Sequence, residues 1–437
     1  MKTINRIYPI FVALFLLPFI CATASAEMAQ GTEIQITNNG ADQRHPAIYG
    51  DRIVWTDYRN GDGYSNSDIY MYDLSNSTET QITTNNSAQY QPDIYGDKIV
   101  WLDERNGNGD IYMYDLSTST ETQITTNGSW QYWPAIYDDK IVWVDDRDAD
   151  ESHGDAYVSS NIYMYDLSTS TETRISTSEA QQTGLAIYGD RIVWDSYLNG
   201  ESYHHIYMCN LSTFEETQIT TSGSGYSPDI YGDRIVWIDS RNGYGDVNVN
   251  IYMYNLSTST ETQITNNESN KDGPVIFDYR IIWADWNNGN PDIYMYDLST
   301  STETQITDDS SHVGGEVGPD IYGNRIVWDD SRNGNSDIYM FTIDSAAELT
   351  PLDRTNDLKK YVEKTLSCNV WTKKALIKPL YASISFLEKG KDSKAVLSLK
   401  SFIDLVKDMK RHKKISAAEA NFMIKEARGI IDQIKIH

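Results

Sequence analysis

Cysteine is nearly absent: the 437 residues contain three, of which Cys21 lies in an N-terminal apolar stretch, leaving Cys209 and Cys368. Those two fall in segments of different character, so a disulfide framework is not expected. Basic residues are scarce over most of the length. Residues 27–344 hold 15 Lys and Arg against 52 Asp and Glu, a net of −37. Binding to DNA or RNA depends on neutralising phosphates with cations, so a nucleic-acid partner is not expected. Long apolar runs are missing after residue 26, which leaves the mature chain without a transmembrane segment. Catalytic signatures are missing too. There is no Gly-x-Ser-x-Gly, no His-Glu-x-x-His and no phosphate loop, and the histidines, His204-His205 included, lack an evident third partner. No catalytic residue is assigned, and a non-enzymatic role is expected.

What is present begins with a secretory signal over residues 1–26. Lys2 and Arg6 precede an apolar stretch from Ile7 to Ile20, and Ala24-Ser25-Ala26 forms a small-residue cleavage site. The stretch is short and contains Pro9 and Pro18, which argues against a membrane span. An extracellular or cell-surface location is expected. Charge then divides the remainder: residues 345–437 carry 19 Lys and Arg against 11 Asp and Glu, a net of +8. Such asymmetry predicts two domains, 27–344 and 345–437.

The first domain is a sevenfold repeat. An Ile-Val-Trp-like triplet ends at Trp55, Trp101, Trp143, Trp194, Trp237, Trp283 and Trp328, at intervals of 42 to 51 residues. An Ile-Tyr-Met triplet follows each time, from Ile69, Ile111, Ile162, Ile206, Ile251, Ile293 and Ile338. Each unit has four β-branched and aromatic runs separated by Gly, Asn, Asp or Ser, as in 92–95, 98–101, 111–114 and 122–125. A period near 45 with four strand signals predicts an all-β, seven-bladed β-propeller of four-stranded antiparallel blades. Runs that are apolar without alternation fit strands covered on both faces by neighbouring blades. An isolated fourth-strand copy, 34–37, precedes the first unit, and the last unit lacks its fourth strand. The two termini are therefore expected to complete one blade and close the ring.

The repeat Asp-Ile-Tyr-Gly-Asp-Arg-Ile-Val-Trp, Asp-Ile-Tyr-Met-Tyr-Asp-Leu, Thr-Gln-Ile-Thr resembles the TolB-type propeller repeat, in the variety found in prokaryotic cell-surface proteins, over residues 30–344. The resemblance implies the fold and does not specify an activity, because propellers host unrelated functions.

Comparing the seven copies separates two faces. From the first-strand Tyr or Phe to the residue before Trp the spacing is always five, and from the third-strand Met to the fourth-strand Ile it is eleven in all six units that have both. These two connections share one face. The connections on the opposite face vary: Trp to the next Ile-Tyr-Met spans 14, 10, 19, 12, 14, 10 and 10 residues, and the loop 308–318 is long. Ligand contact is expected on the variable face, where loops stand on a rigid scaffold. Three features there are candidates. The aromatics Tyr90, Trp130, Tyr132, Trp133 and Tyr226 could stack on sugars or capture apolar side chains, or else pack between blades. The pairs Asp57/Arg59, Asp103/Arg105, Asp145/Arg147, Asp239/Arg241 and Asp330/Arg332 would bind anions or sugars or else brace hairpin turns, and the brace is the expectation. Blade four breaks that pattern with Ser196 and Leu198, and blade six has Asn287 in place of the Arg. The third-blade insertion, with Asp148, Asp150, Glu151 and Asp155, has the oxygen ligands for Ca²⁺ but not the ordered spacing of a calcium loop. No cofactor is otherwise expected.

The second domain has Leu and Ala at helical spacing. Asp392 is expected to cap a helix burying Val396, Leu399, Phe402, Ile403, Val406 and Met409, and Ser416 with Glu419 forms a capping box. Two earlier helices are expected over 356–366 and 372–389, with Pro379 kinking the second. The run Leu399-x-x-Phe402-Ile403-x-x-Val406, Lys414-Ile415-Ser416 and the ending Ala427-x-x-Ile430-Ile431 resemble the small helical FIMAH domain of secreted prokaryotic proteins. That resemblance implies an all-α bundle with an accessory role. Together these features predict a secreted or surface-attached propeller that binds an extracellular glycan or surface protein. The alternatives are a polysaccharide lyase or glycoside hydrolase acting in the channel, and a structural component of a cell-surface layer.

Overall fold

Every blade repeats one local solution to the same sequence. A β-branched run turns at a glycine or aspartate with positive φ, such as Gly50 (62°) or Asp138 (56°), and returns as the strand that carries the tryptophan. In blade one the strands are Gln43–Tyr49, Arg52–Asp57, Asp68–Asp73 and Thr78–Gln81, each antiparallel to the next. The same order recurs through blade six, which ends with Thr302–Gln305. A computed structural model of the chain describes residues 27–436 apart from 62, 149–159, 178–179, 198–203, 222–223, 242–247, 287–289, 309–312, 314–317, 345–350 and 367–368. The signal segment 1–26, Asp150, Glu151, Asp155, Leu198 and Asn287 thus lie outside the described residues.

Blade seven is built from both ends of the domain. Gly31–Gln35 pairs antiparallel with Asp337–Ile343, from Gly31 opposite Ile343 to Gln35 opposite Tyr339. The expected closure therefore forms, displaced a few residues toward the N-terminus. A short segment before it, Glu27–Met28, adds a parallel fifth strand to blade six, opposite Thr304 and Gln305. Nothing in the repeat announces that strand, because it copies no part of a blade.

The core sits between the blades. Seven apolar clusters each draw side chains from two consecutive blades, and one of them joins Ile48, Ile53 and Trp55 of blade one to Val327 and Met340 of blade seven. The seven repeat tryptophans are at most 1% exposed. Each stacks on the third-strand tyrosine of its own blade, with centroids 6.0 to 6.2 Å apart. A blade alone would leave both faces wet, so the ring must close for these rings to leave water.

Among the described residues four α-helices follow: α1 (Pro351–Lys360), α2 (Val370–Leu387), α3 (Asp392–Arg411) and α4 (Ala417–Ile436). They share one core, including Leu376, Leu380, Leu399, Phe402, Val406, Met423 and Ile430. The capping box is present: Ser416 N–H donates to Glu419 Oε2 (2.8 Å), and Glu419 N–H donates to Ser416 Oγ (3.1 Å). Asp392 does not cap α3; Lys391 holds that position without a side-chain bond, and Asp392 opens the first turn, where its charge suits the helix dipole. Val396 lies at the edge of the buried face rather than within it, its place taken by Ala395. The first helix starts five residues earlier than its sequence signal, at Pro351, and passes into a π turn over Tyr361–Thr365.

Candidate functional site

The first strand of each blade lines the axis, and its side chains define a channel in layers. At the uniform face lie Tyr49, Tyr95, Tyr137, Tyr188, Tyr231, Phe277 and Tyr322, one per blade. Neighbouring ring centroids are 4.7 to 5.1 Å apart all the way round, including Tyr322 back to Tyr49. Interplanar angles of 46° to 54° cluster around one-seventh of a turn, as expected of equivalent rings standing upright on a sevenfold ring. The hydroxyls hydrogen-bond in sequence from Tyr322 through Tyr49, Tyr95, Tyr137 and Tyr188 to Tyr231, and Phe277 interrupts the circuit. Burial pushes Tyr95 and Tyr137 up to about 12, so the circuit is uncharged at neutral pH.

Two residues earlier on the same strands stand Ala47, Asp93, Ala135, Ala186, Asp229, Val275 and Asp320. The three aspartates come from blades two, five and seven, and each is a staple to the next blade. Asp93 Oδ2 accepts from Ile136 N–H (2.8 Å), Asp229 Oδ2 from Ile276 N–H (2.7 Å) and Asp320 Oδ2 from Ile48 N–H (2.8 Å). Removal from water pushes Asp93 up to about 7 and Asp229 up to about 6, and raises Asp320; at Asp93 the charges of Asp320 and Asp229 add to it. Nothing in the sequence singles out these residues. Asp-Ile-Tyr reads as strand, and only the ring brings three such carboxylates from distant blades into one channel.

The variable-face end is the mouth. Here each first strand in blades one to six carries a bulge, with a left-handed residue at His45 (55°), Gln91 (55°), Trp133 (48°), Gly184 (46°), Ser227 (51°) or Gly273 (52°). In blade three the bulge turns Trp133 outward. Trp130, Tyr132 and Trp133 form one aromatic cluster, with Trp130 and Tyr132 stacked at 6.0 Å and 13°, and Tyr132 and Trp133 tilted at 5.9 Å and 42°. Tyr132 donates to Asp146 Oδ2 (2.8 Å), which fixes the middle ring, while Trp130 is 37% and Trp133 42% exposed. Tyr90 occupies the equivalent place in the neighbouring blade and donates to Glu104 Oε1 (2.7 Å). Burial and the adjacent carboxylates raise the pKa of both tyrosines, so they act as donors. Tyr226 is apart from this group. Its neighbour is His204, with centroids 6.2 Å apart.

That neighbourhood belongs to blade four, where the repeat pattern breaks. Asp195 is 2% exposed; its Oδ2 accepts from Thr183 Oγ1 (2.6 Å) and pairs with His204 Nδ1 (2.9 Å), and its Oδ1 accepts from Ser227 N–H (3.2 Å). The tautomer of His204 follows from the neighbouring carboxylate, which orients the ring with Nδ1 toward Asp195. Tyr197 lies against the same imidazole, with centroids 4.5 Å apart.

The Asp-x-Arg pairs are braces. In blade two, Asp103 Oδ2 accepts from Trp101 Nε1–H (3.0 Å) and from Arg105 Nη2–H (2.6 Å), while Oδ1 accepts from Arg105 N–H (3.0 Å). Arg105 also reaches Glu121 of the fourth strand (2.6 Å) and lies 4.2 Å over the Tyr112 ring. Blades one, three and five repeat this set, and in blade seven the glutamate is Glu33 of the N-terminal strand (2.7 Å). Blade six supplies its cation differently: buried Lys271 sits 3.9 Å from Asp285, with its amine also held by Asn267 and Ser269. Asp148 of the third-blade insertion is engaged by Tyr163 OH (2.7 Å) and Arg174 (3.3 Å), so it is tied to the blade. Among the described residues no group of three or more His, Cys, Asp or Glu is arranged to hold a metal ion.

No family model and no curated protein matches the chain. Solved structures do, at the level of fold. The oligogalacturonate lyase of Vibrio parahaemolyticus superposes with a TM-score of 0.56 at 13% identity, over 74% of this chain and 97% of that one. The β-propeller domain of the trilobed protease from Pyrococcus furiosus gives 0.55 at 15% identity, over 70% of this chain and 94% of that one. For the acylaminoacyl peptidase of Pyrococcus horikoshii the score is 0.54 at 14% identity, and the match spans 69% of this chain but only 51% of the peptidase. Identities this low speak to architecture alone.

Proposed function

We propose that the chain is an extracellular, non-enzymatic binding module whose ligand, a glycan or a surface protein, seats on the variable face. The observation that carries this reading is the cluster of Trp130, Tyr132 and Trp133. Two indoles partly in water, aligned by a tyrosine whose hydroxyl is anchored, form a rigid apolar platform at a channel mouth. Sugar faces and apolar side chains both suit such a platform. Tyr90 extends it across the blade boundary, whereas Tyr226 belongs with His204 and is not part of the same surface.

Two features weigh against a reaction in the channel. Its deep carboxylates accept backbone N–H groups of the neighbouring blades, and its far end is narrowed by the aromatic ring. The extracellular setting rests on the N-terminal segment and on the resemblance to surface propellers. A glycan array probed with residues 27–437 tests the binding reading. Capture by the parent protein should fall at least about tenfold in the Trp130→Ala/Trp133→Ala variant, the scale of one well-packed aromatic contact or more. Unchanged capture with an intact fold would remove this site from consideration.

A further inference from the structure

The C-terminal helices bear a surface with a different chemistry. Helix α2 contains Lys373, Lys374 and Lys378 and no carboxylate. Its outward face runs Trp371, Lys374, Lys378, Tyr381, the i, i+3, i+7, i+10 progression of one helical stripe. Trp371 is 82% exposed and Tyr381 53% exposed, so two large rings stand in water with two ammonium groups between them. Lys374 Nζ lies 5.7 Å from the Trp371 ring centroid, and Lys359 of α1 lies 4.7 Å from that of Tyr381. The helix rises about 1.5 Å per residue, so the stripe is about 15 Å long and its two central lysines are about 6 Å apart.

We infer that this stripe is a docking site for an acidic polysaccharide. Three features select that occupant. The face is cationic and belongs to a segment with a net charge of +8, so its partner is anionic. The aromatic rings alternate with the charges along a line, which suits a linear polymer whose sugar faces and carboxylates also recur along a line. The rings are separated by lysines and do not merge into one apolar patch, so the stripe lacks the continuous apolar face with which a helix enters a bilayer. The inference does not depend on the platform at the channel mouth. The propeller, at −37, would be repelled by the same polymer, so each domain would engage a different partner.

The test is retention of residues 27–437 on immobilised polygalacturonate, with dextran as a neutral sugar polymer and polyglutamate as an anion without sugars. Retention on polygalacturonate above both controls, and its weakening by added salt, is expected. Trp371→Ala and Tyr381→Ala should each weaken it about tenfold, the scale of a desolvated aromatic contact. Lys374→Glu/Lys378→Glu should abolish it, whereas Trp130→Ala/Trp133→Ala should leave it unchanged. All these side chains are exposed, and an unaltered circular dichroism spectrum checks that the bundle remains folded. Equal retention on dextran or polyglutamate would overturn the inference, as would retention unaffected by the α2 substitutions. It would also be overturned if the chain bound phosphatidylglycerol vesicles but not the polymer, or if α2 instead mediated self-association at low salt.

Discussion

The two ends of the propeller channel are made from the same seven strands, yet they treat their side chains in opposite ways. At the uniform end, equivalent residues meet each other. Seven aromatic rings close a circle, and Arg52, Arg191 and Arg325 reach the turn aspartates Asp97, Asp233 and Asp51 of the next blade at 2.7, 2.8 and 2.6 Å. At the variable end, equivalent residues diverge. Trp133, Gln91, His45 and Ser227 occupy one bulge position, and Trp130 and Trp133 remain partly in water. Agreement between copies thus marks side chains engaged in joining blades, and disagreement marks the end where the proposed ligand would seat.

The largest separation between the two classes should appear in tryptophan. Trp237→Ala removes a buried ring and should cost about 3–5 kcal/mol in urea unfolding, whereas Trp133→Ala should stay within about 0.5 kcal/mol. Equal costs would erase the distinction between scaffold and platform. Next comes the brace. Arg105→Met strands the fully buried Asp103 carboxylate and should cost about 3 kcal/mol, and adding Asp103→Asn should recover part of that loss.

The channel aspartates sharpen the comparison through pH. Asp93 titrates at about 7 in the fold against 3.8 for an ordinary aspartate, so the native state holds this proton more tightly than the unfolded chain. The stability it contributes is complete below 3.8 and is lost as pH rises toward about 7, so the slope between those values is negative. Thermal midpoints measured from pH 5 to 8 should fall with rising pH, and the fall should be shallower in Asp93→Asn. An identical slope in the variant would assign the pH dependence to other groups. The smallest effect is Phe277→Tyr. A hydroxyl at the one gap in the tyrosine circuit should stabilise the ring by about 0.5–1 kcal/mol, read as a raised urea midpoint.

Much of the scaffold was legible because it is periodic. Trp55 through Trp328 declare their burial by recurring within apolar triplets, and the phase of residues 34–37 against the incomplete last unit announced the closing strand. The Ser416–Glu419 cap was equally readable, since both its bonds span three residues. The aromatic floor was not. Tyr49 and Tyr95 contact each other only after two whole blades have folded and packed. Lys271 offered no signal, because its role depends on the loss of an arginine in the turn of its own blade. Within the candidate site, Trp130, Tyr132 and Trp133 are close in the chain and remain close in space. Tyr226 has the same position in its repeat as Tyr132, but blade four stands between them.

The sequence by itself determined the blade: its four strands, its apolar triplets and its turn residues are local, and local periodicity specifies them. It also determined the number of blades and the termini that join. Tertiary structure decided what residues of equal rank in the repeat become. Sevenfold closure turns one aromatic side chain per blade into a continuous ring and brings three remote aspartates into one channel, because contacts around an axis depend on every blade being present. At the mouth, where neighbouring copies carry different side chains, the same closure brings unlike residues together, and there the surface ceases to be a repeat.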